Sequence, residues 1–165
     1  MGHMEKLIED FIVYLHNVKS TSENTILSYR RDLKKWKSYM NELGVTSVQE
    51  VKTEHLENFV QFLEEKQFKA ATISRNIASI KAFYHYLFKE KIIDEDISDI
   101  LHAPKVEKKL PEIMTMEEAV WLIEQPSGDK PKELRDRAML ELLYATGIRV
   151  TELIKLKVSD LNLQM

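Results

Sequence analysis

The sequence has 165 residues, of which 44% are hydrophobic and 31% are charged. A chain of this length buries a substantial core in one or two domains. Its four glycines and four prolines are few, which argues against an all-β sandwich and against a long disordered linker. Because cysteine is absent, a disulfide framework, a cysteine–zinc site and a catalytic thiol are excluded, and the expected compartment is the cytoplasm.

The formal net charge is −3, and neither half of the chain is basic. Proteins that bind nucleic acid usually carry excess positive charge, so such a function must rest on where the charges lie. The sequence has no apolar run of the roughly 18 residues that span a membrane, and no membrane partner is expected. Residues 1–3, Met-Gly-His, are interpreted as a leader left by cloning ahead of a native Met4.

Apolar residues recur at three- and four-residue steps through the first hundred residues, which predicts amphipathic helices. The predicted helices cover residues 5–18, a segment from a cap at 20–22 to Gly44, 53–66 and 71–90. Four such helices with short connections form an all-α bundle over residues 4–102. Tyrosines on the apolar stripes are interpreted as core residues with a hydrated hydroxyl, namely Tyr14, Tyr29, Tyr84 and Tyr144.

Residues 103–111 contain two prolines and four charges without periodicity, which predicts an extended linker. Beyond it, Thr115 and Glu118 have the spacing of a capping box at a helix start. Further helices are predicted at residues 134–145 and 150–156, and residues 158–163 resemble the beginning of a β-strand. The stretch 112–165 is small and apolar for an independent domain, so we expect it to be the first part of something larger.

The second predicted helix carries five cations within residues 30–37. Such a basic flank next to a basic linker suits a duplex, whose phosphates dominate the binding energy. The candidate DNA-binding residues of these two segments are Arg30, Arg31, Lys34, Lys35, Lys105, Lys108 and Lys109. A solvated helix face that keeps a protein soluble has the same composition, and both interpretations stay open at this point.

The fourth predicted helix has small side chains opposite its apolar face. Small residues let a bulky anion approach the backbone, and Arg75 lies among them with a guanidinium fork suited to a phosphate. The candidate DNA-binding residues on this face and its flanks are Thr72, Ser74, Arg75, Ser79 and Lys81. A solvated face without a partner is the competing interpretation.

The sharpest motif is T-G-I-R-V-T-E-L at residues 146–153. A helix ends at Gly147, Arg149 follows two residues later, and a new helix begins. Four leucines are expected to hold both helices in the core, namely Leu142, Leu143, Leu153 and Leu156. A guanidinium fixed at such a corner suits a pair of non-bridging phosphate oxygens.

This motif, followed by Leu156-Lys157 and Asp160, resembles the first catalytic-arginine motif of the tyrosine recombinases (phage-integrase family), in particular those of the Xer type. Upstream motifs resemble that family's core-binding domain in the same order. They are F-x-x-Y-L from Phe11, T-x-x-x-Y-x-x-D-L from Thr25, T-I-x-R from Thr72, F-Y-x-Y-L from Phe83, and L-P at residues 110–111. The resemblance covers residues 4–165.

The resemblance implies an all-α chain with a four-helix SAM-like core-binding bundle in residues 4–102, a linker at 103–111 and a truncated, mainly helical start of the catalytic domain in 112–165. It implies site-specific DNA recombination in which a tyrosine attacks the scissile phosphate and forms a 3′-phosphotyrosyl intermediate, without a metal or cofactor. Arg149 would be a catalytic residue and Glu152 would orient it.

The family's remaining catalytic residues are a lysine, a His-x-x-Arg motif, a further His or Trp, and the nucleophilic tyrosine. None can be assigned in this sequence, because it has no His-x-x-Arg and all six tyrosines precede Arg149. We therefore expect the parent protein to be an enzyme and this chain to be inactive by itself.

The implied partners are a double-stranded recombination site and other recombinase protomers in a synaptic tetramer. Core surface exposed in residues 112–163 would also lead this chain to associate with itself. A helical adaptor that binds helices of partner proteins is the alternative function, favoured by the acidic net charge. That alternative leaves the 146–153 motif unexplained.

Overall fold

The computed structural model describes residues 2–105, 110 and 112–160, which fall into two compact units, Met1–Lys108 and Lys109–Met165. The helices of the first unit are α1 (His3–Asn17), α2 (Glu23–Glu42), α3 (Thr53–Glu65) and α4 (Ala70–Lys89). Those of the second are α5 (Met116–Glu124), α6 (Pro131–Thr146) and α7 (Val150–Leu153). Short 3₁₀ turns occupy Val48–Glu50, Ile97–Ile100 and Val158–Asp160. Across the described ranges there is no strand, which confirms the all-α prediction.

The helix ends follow from local capping chemistry. Ser22 Oγ accepts a hydrogen bond from the Thr25 backbone N at 3.4 Å at the start of α2. At the start of α5, Thr115 Oγ1 accepts a hydrogen bond from the Glu118 backbone N at 3.2 Å. In turn, Glu118 Oε2 accepts one from the Thr115 backbone N at 2.8 Å. These bonds satisfy N–H groups that have no partner inside a helix. The predicted capping box is confirmed.

The core of the first unit is built from side chains that all four helices bury. Leu33 and Trp36 of α2, Phe59 of α3 and Phe83 of α4 have no exposed surface. The Phe83 ring lies 5.5 Å from that of Phe11 and 6.0 Å from that of Trp36, centroid to centroid. Aromatic rings at these separations pack edge to face and contribute beyond the area they bury.

The predicted core positions of the tyrosines are confirmed in the first unit, but the predicted hydrated hydroxyl is wrong for Tyr84, whose Oη is buried without a hydrogen-bond partner among the described residues. In the second unit the core prediction is wrong. Tyr84 is 1% exposed, and Tyr14 and Tyr29 are partly buried against the core. The predicted core position of Tyr144 is wrong, because this side chain is 56% exposed near the end of α6. Nothing in the described second unit covers that ring.

The second unit buries little of its apolar surface. Leu153 is the one buried hydrophobic residue among those described there. Of the other leucines predicted to lie in the core, Leu142 and Leu143 are only half-buried, and Leu156 is exposed, so its predicted core position is wrong. Large exposed apolar side chains include Leu110, Ile113, Met116, Trp121, Val150 and Ile154.

The strand predicted at residues 158–163 is wrong for Val158–Asp160, which form a 3₁₀ turn. The turn is closed locally, because the Asp160 backbone N donates to the Lys157 carbonyl at 2.9 Å and Asp160 Oδ2 accepts from the Lys157 N at 2.9 Å. Residues 161–163 lie outside the described part of the chain. None of the helices described here has the length and apolarity needed to cross a membrane.

Candidate nucleic-acid interface

A buried carboxylate joins the two helices that carry the candidate DNA-binding residues. Asp32 of α2 has a side chain with no exposed surface. Its Oδ1 lies 3.0 Å from Arg75 Nη2 of α4, and its Oδ2 accepts a hydrogen bond from Ser79 Oγ at 3.1 Å. The Arg75 side chain stays 39% exposed, so the guanidinium has one edge on Asp32 and another toward solvent.

Two cations on the opposite side of α2 are paired with α1. Arg30 Nη2 lies 3.0 Å from Glu9 Oε2, and Lys37 Nζ lies 3.1 Å from Glu5 Oε2. Residues seven apart return to the same helix face, which explains why both reach the same neighbour. The predicted role of Arg30 in DNA binding stays a prediction, and the structure adds that Glu9 already holds its guanidinium.

The other cations of α2 lie on the α4 side of the helix or point outward. Arg31 and Lys34 are exposed. Lys35 is half-buried, with Nζ 4.2 Å from the centroid of the Phe68 ring just before α4. None of the ion pairs found among the described residues involves these three cations. A cation over an aromatic face keeps its charge while its stem is held in place.

The small-residue face of α4 is present, with one exception. Ala78 is exposed and Ser74 is half-buried. Ser74 Oγ donates a hydrogen bond to the Pro104 carbonyl oxygen at 3.4 Å. This bond brings Lys105, which is exposed, next to the start of α4. Thr72 is half-buried at the edge of the same face.

Ser79, predicted to lie on a flank of this face, is the exception, because it is buried. Its side chain has no exposed surface and donates toward Asp32, so it turns inward against α2. Lys81 lies on the far flank of α4, where Nζ donates to the Asp99 carbonyl oxygen at 3.3 Å. Lys108 and Lys109 lie outside the described residues.

Charge is unevenly distributed over the helices of the first unit, although the chain is acidic overall. The α4 segment contains Arg75, Lys81 and Lys89 and no carboxylate. The α3 segment contains four glutamates and neither lysine nor arginine. A positive helix can therefore attract an anion while the net charge stays negative.

We call this set of exposed and half-buried residues the α2–α4 surface. It consists of Arg31, Lys34, Lys35, Thr72, Ser74, Arg75 and Lys105. Three contacts link its parts, namely Asp32–Arg75, Lys35–Phe68 and Ser74–Pro104. The surface offers cations and hydroxyls around small side chains, which is the chemistry that phosphate oxygens require.

Sequence reasoning missed Asp32 and Phe68 as members of this site. Asp32 is the lone carboxylate within the cation run at 30–37, and it lies one turn from Trp36 on the buried side of α2. A helical wheel that placed it there would have indicated a cationic partner on another helix. Phe68 offers no such signal, because only the folded loop before α4 brings it to Lys35.

The corner around Arg149 has the predicted local geometry. Gly147 ends α6 with φ of 65°, a left-handed conformation, and its N donates to the Leu143 carbonyl at 2.8 Å. Arg149 is the N-cap of α7, and its side chain is 82% exposed. The guanidinium is therefore presented to solvent from a turn that is defined on both sides.

Glu152 holds this corner through both of its carboxylate oxygens. Oε2 accepts a hydrogen bond from the Arg149 backbone N at 2.7 Å, and Oε1 lies 3.3 Å from Arg149 Nη1. The backbone bond, helped by the guanidinium, holds the pKa of Glu152 below its ordinary value. Glu152 and Arg149 are thus in contact, and the orienting role of Glu152 stays a prediction.

Both halves of the chain match described protein families. Residues 8–91 match the phage integrase N-terminal SAM-like domain, and residues 112–165 match the phage integrase family. Tyrosine recombinase XerD of Staphylococcus haemolyticus (strain JCSC1435) is 40% identical over 162 residues, covering 98% of this chain and 55% of that protein. The chain thus spans about half the length of the curated relatives it matches.

Solved structures have the same fold. The Tn1549 transposon integrase in complex with circular intermediate DNA matches with a TM-score of 0.65 at 21% identity, covering 96% of this chain and 51% of that one. The crystal structure of XerA recombinase matches with a TM-score of 0.50 at 28% identity, covering 97% of this chain and 53% of that one. The resemblance found in the sequence motifs is confirmed: the chain belongs to the tyrosine recombinases of the phage integrase family, with a SAM-like domain followed by the start of the catalytic domain.

Proposed function

We propose that the first unit binds duplex DNA through the phosphate backbone, using the α2–α4 surface. The observation that carries this proposal is the pairing pattern on α2. Arg30 and Lys37 face α1 and are neutralised there, whereas Arg31, Lys34 and Lys35 have no ion-pair partner among the described residues, and Lys35 lies against Phe68 just before α4. Cations that the protein leaves without a counterion are the ones that release counterions from DNA.

The family and one solved relative support DNA as the partner. The Tn1549 integrase was solved with DNA bound. Relatives that are 38% and 40% identical to the chain are named tyrosine recombinase XerD. The parent protein would cut and rejoin DNA strands at a recombination site, with other protomers assembled in a synaptic tetramer.

In that reaction, Arg149 would stabilise the negative charge that develops on the scissile phosphate, and Glu152 would orient it. The guanidinium is exposed and tethered, so it can approach a phosphate without first leaving an apolar interior. A fixed cation aimed at developing charge lowers the barrier because it needs no reorganisation during the reaction. The attacking tyrosine belongs to sequence after Arg149, where this chain has none. The proposal is therefore binding without cleavage.

Duplex titration with matched charge variants tests the proposal. Arg31→Ala with Lys35→Ala removes two cations from the α2–α4 surface. Lys19→Ala with Lys91→Ala removes two exposed cations near the other end of α4, where Lys89 Nζ donates to Tyr14 Oη at 3.3 Å. The readouts are fluorescence anisotropy of a labelled duplex and a denaturing gel for covalent adducts.

The proposal predicts binding by the parent chain, a loss of at least about tenfold for the first pair, and about twofold or less for the second. No covalent adduct should form. Equal losses for both pairs would show attraction to overall charge without a defined surface, and absence of binding by the parent chain would favour the adaptor function.

A further inference from the structure

We propose that Asp32 is a positioning residue for DNA: its buried carboxylate holds the Arg75 guanidinium in the orientation that receives a phosphate. The inference rests on the proposed DNA binding by the α2–α4 surface. It adds a residue that touches no DNA and that sequence reasoning did not assign to the site.

The geometry supports a holding role. The Asp32 side chain has no exposed surface, so it cannot itself meet a ligand. It engages Arg75 through the single atom Nη2, at 3.0 Å. The Arg75 side chain is 39% exposed while its Nε is buried, so a phosphate would be met by the terminal nitrogens Nη1 and Nη2.

Ser79 completes the arrangement from the same helix as Arg75. Its Oγ lies 3.1 Å from Asp32 Oδ2 and 3.0 Å from the Arg75 carbonyl oxygen, one turn earlier. With one carboxylate oxygen on Ser79 and the other on Arg75, the carboxylate plane is fixed. Arg75 therefore meets a rigid acceptor, which lowers the rotamer freedom it must give up on binding.

Stability alone does not explain this ion pair. Burying a carboxylate costs desolvation that attraction to its cationic partner often fails to repay, and apolar residues of similar volume can serve stability as well. Asp32 is also the one charged side chain that is buried among the described residues. The cost of burying Asp32 is explained if the orientation of the Arg75 guanidinium matters for DNA binding.

The same contact could instead mask Arg75 by competing with phosphate for it. The two roles predict opposite effects of Asp32→Asn. Positioning predicts weaker duplex binding, although the variant has one more unit of positive charge. Masking predicts tighter binding, because the arginine is released.

The test compares Asp32→Asn with Glu9→Gln in the full chain. Each variant neutralises one carboxylate, so both change the net charge equally. Asp32→Asn releases the contact with Arg75 between α2 and α4, and Glu9→Gln releases the contact with Arg30 between α1 and α2. We expect Asp32→Asn to weaken duplex binding about fivefold, by the entropy of one freed side chain. Glu9→Gln should not weaken it. Ser79→Ala should cause a smaller loss in the same direction.

A double-mutant cycle separates positioning from a general structural effect. In an Arg75→Ala background, Asp32→Asn should cause no further loss of binding, since Asp32 acts only through that arginine. Thermal melts monitored by circular dichroism identify any variant that is unfolded at the assay temperature, and Ser79→Ala then supplies the comparison.

The outcomes distinguish failure of the proposed DNA binding from failure of the positioning role of Asp32. If the parent chain does not bind duplex, the proposed function fails and the positioning role fails with it. If the parent chain binds and Arg75→Ala weakens it, but Asp32→Asn binds as tightly as the parent or tighter, DNA binding stands and the positioning role is overturned. A further loss from Asp32→Asn in the Arg75→Ala background also overturns it.

Discussion

Glu152 is bonded to Arg149 twice, through the backbone N–H at 2.7 Å and through Nη1 at 3.3 Å. One carboxylate thus caps the first turn of α7 and holds the side chain that precedes it. The cap fixes the backbone at the corner, and the second bond limits where the guanidinium can go. This relationship makes the corner sensitive to the protonation of Glu152.

The first prediction concerns pH. Because the folded-state pKa of Glu152 lies below 4.5, the capping contribution is complete above that value and is lost as the pH falls through the lower, folded-state pKa. The Arg149 backbone amide, observed by NMR, should shift with a midpoint below the ordinary glutamate value. Glu152→Gln should abolish the shift, and a midpoint at or above 4.5 would contradict the bonded geometry.

The second prediction concerns the core of the first unit. Phe83→Ala should lower the free energy of unfolding by about 3–5 kcal/mol, because it leaves a cavity between Phe11 and Trp36. Phe88→Ala, five residues along the same helix, removes a ring that is 47% exposed and should cost about 0.5 kcal/mol. Chemical denaturation monitored by tryptophan fluorescence measures both, and similar losses would be inconsistent with the described packing.

The third prediction compares the contributions of Lys34 and Arg30, two cations of α2, to DNA binding. Lys34→Ala should weaken duplex binding and reduce the dependence on salt by about one phosphate contact. Arg30→Ala should leave that dependence nearly unchanged and lower stability by about 0.2–1 kcal/mol, since it breaks a partly exposed ion pair with Glu9. If Arg30→Ala had the larger effect on DNA, the pair with Glu9 would have to open on binding.

The fourth prediction concerns association of the chain with itself. The second unit exposes Ile113, Trp121 and Ile154 at 87%, 66% and 65%, respectively. Apolar surface of this kind favours oligomers, so sedimentation velocity should show concentration-dependent association that Trp121→Glu reduces. Val13→Glu, at a 55% exposed position of the first unit, is the matched control. A monomer at all concentrations would rule the prediction out.

Local sequence features predicted the helices and their ends, because three- and four-residue periodicity and capping are properties of a single segment. The start of α5 at Thr115 and the left-handed Gly147 at the end of α6 are examples. Contacts between segments were not accessible in this way. Ser79 turns inward because Asp32, 47 positions away, accepts its hydrogen bond, and Arg30 is held by Glu9, 21 positions away.

Recognition of the family came from motif order, and the candidate site came from the placement of charge on helix faces. Tyr144 shows where periodicity misleads. Its position on an apolar stripe predicts burial only if another element covers that stripe, and in the described second unit none does. Periodicity reports which face is apolar but not what packs against it.

The central claim is that the first unit binds DNA phosphates through a defined set of cations. Its most direct test is the equilibrium dissociation constant for a duplex, measured across a series of monovalent salt concentrations. About five phosphate contacts predict a logarithmic slope of binding constant against salt between about −4 and −5. A slope near zero would contradict the account.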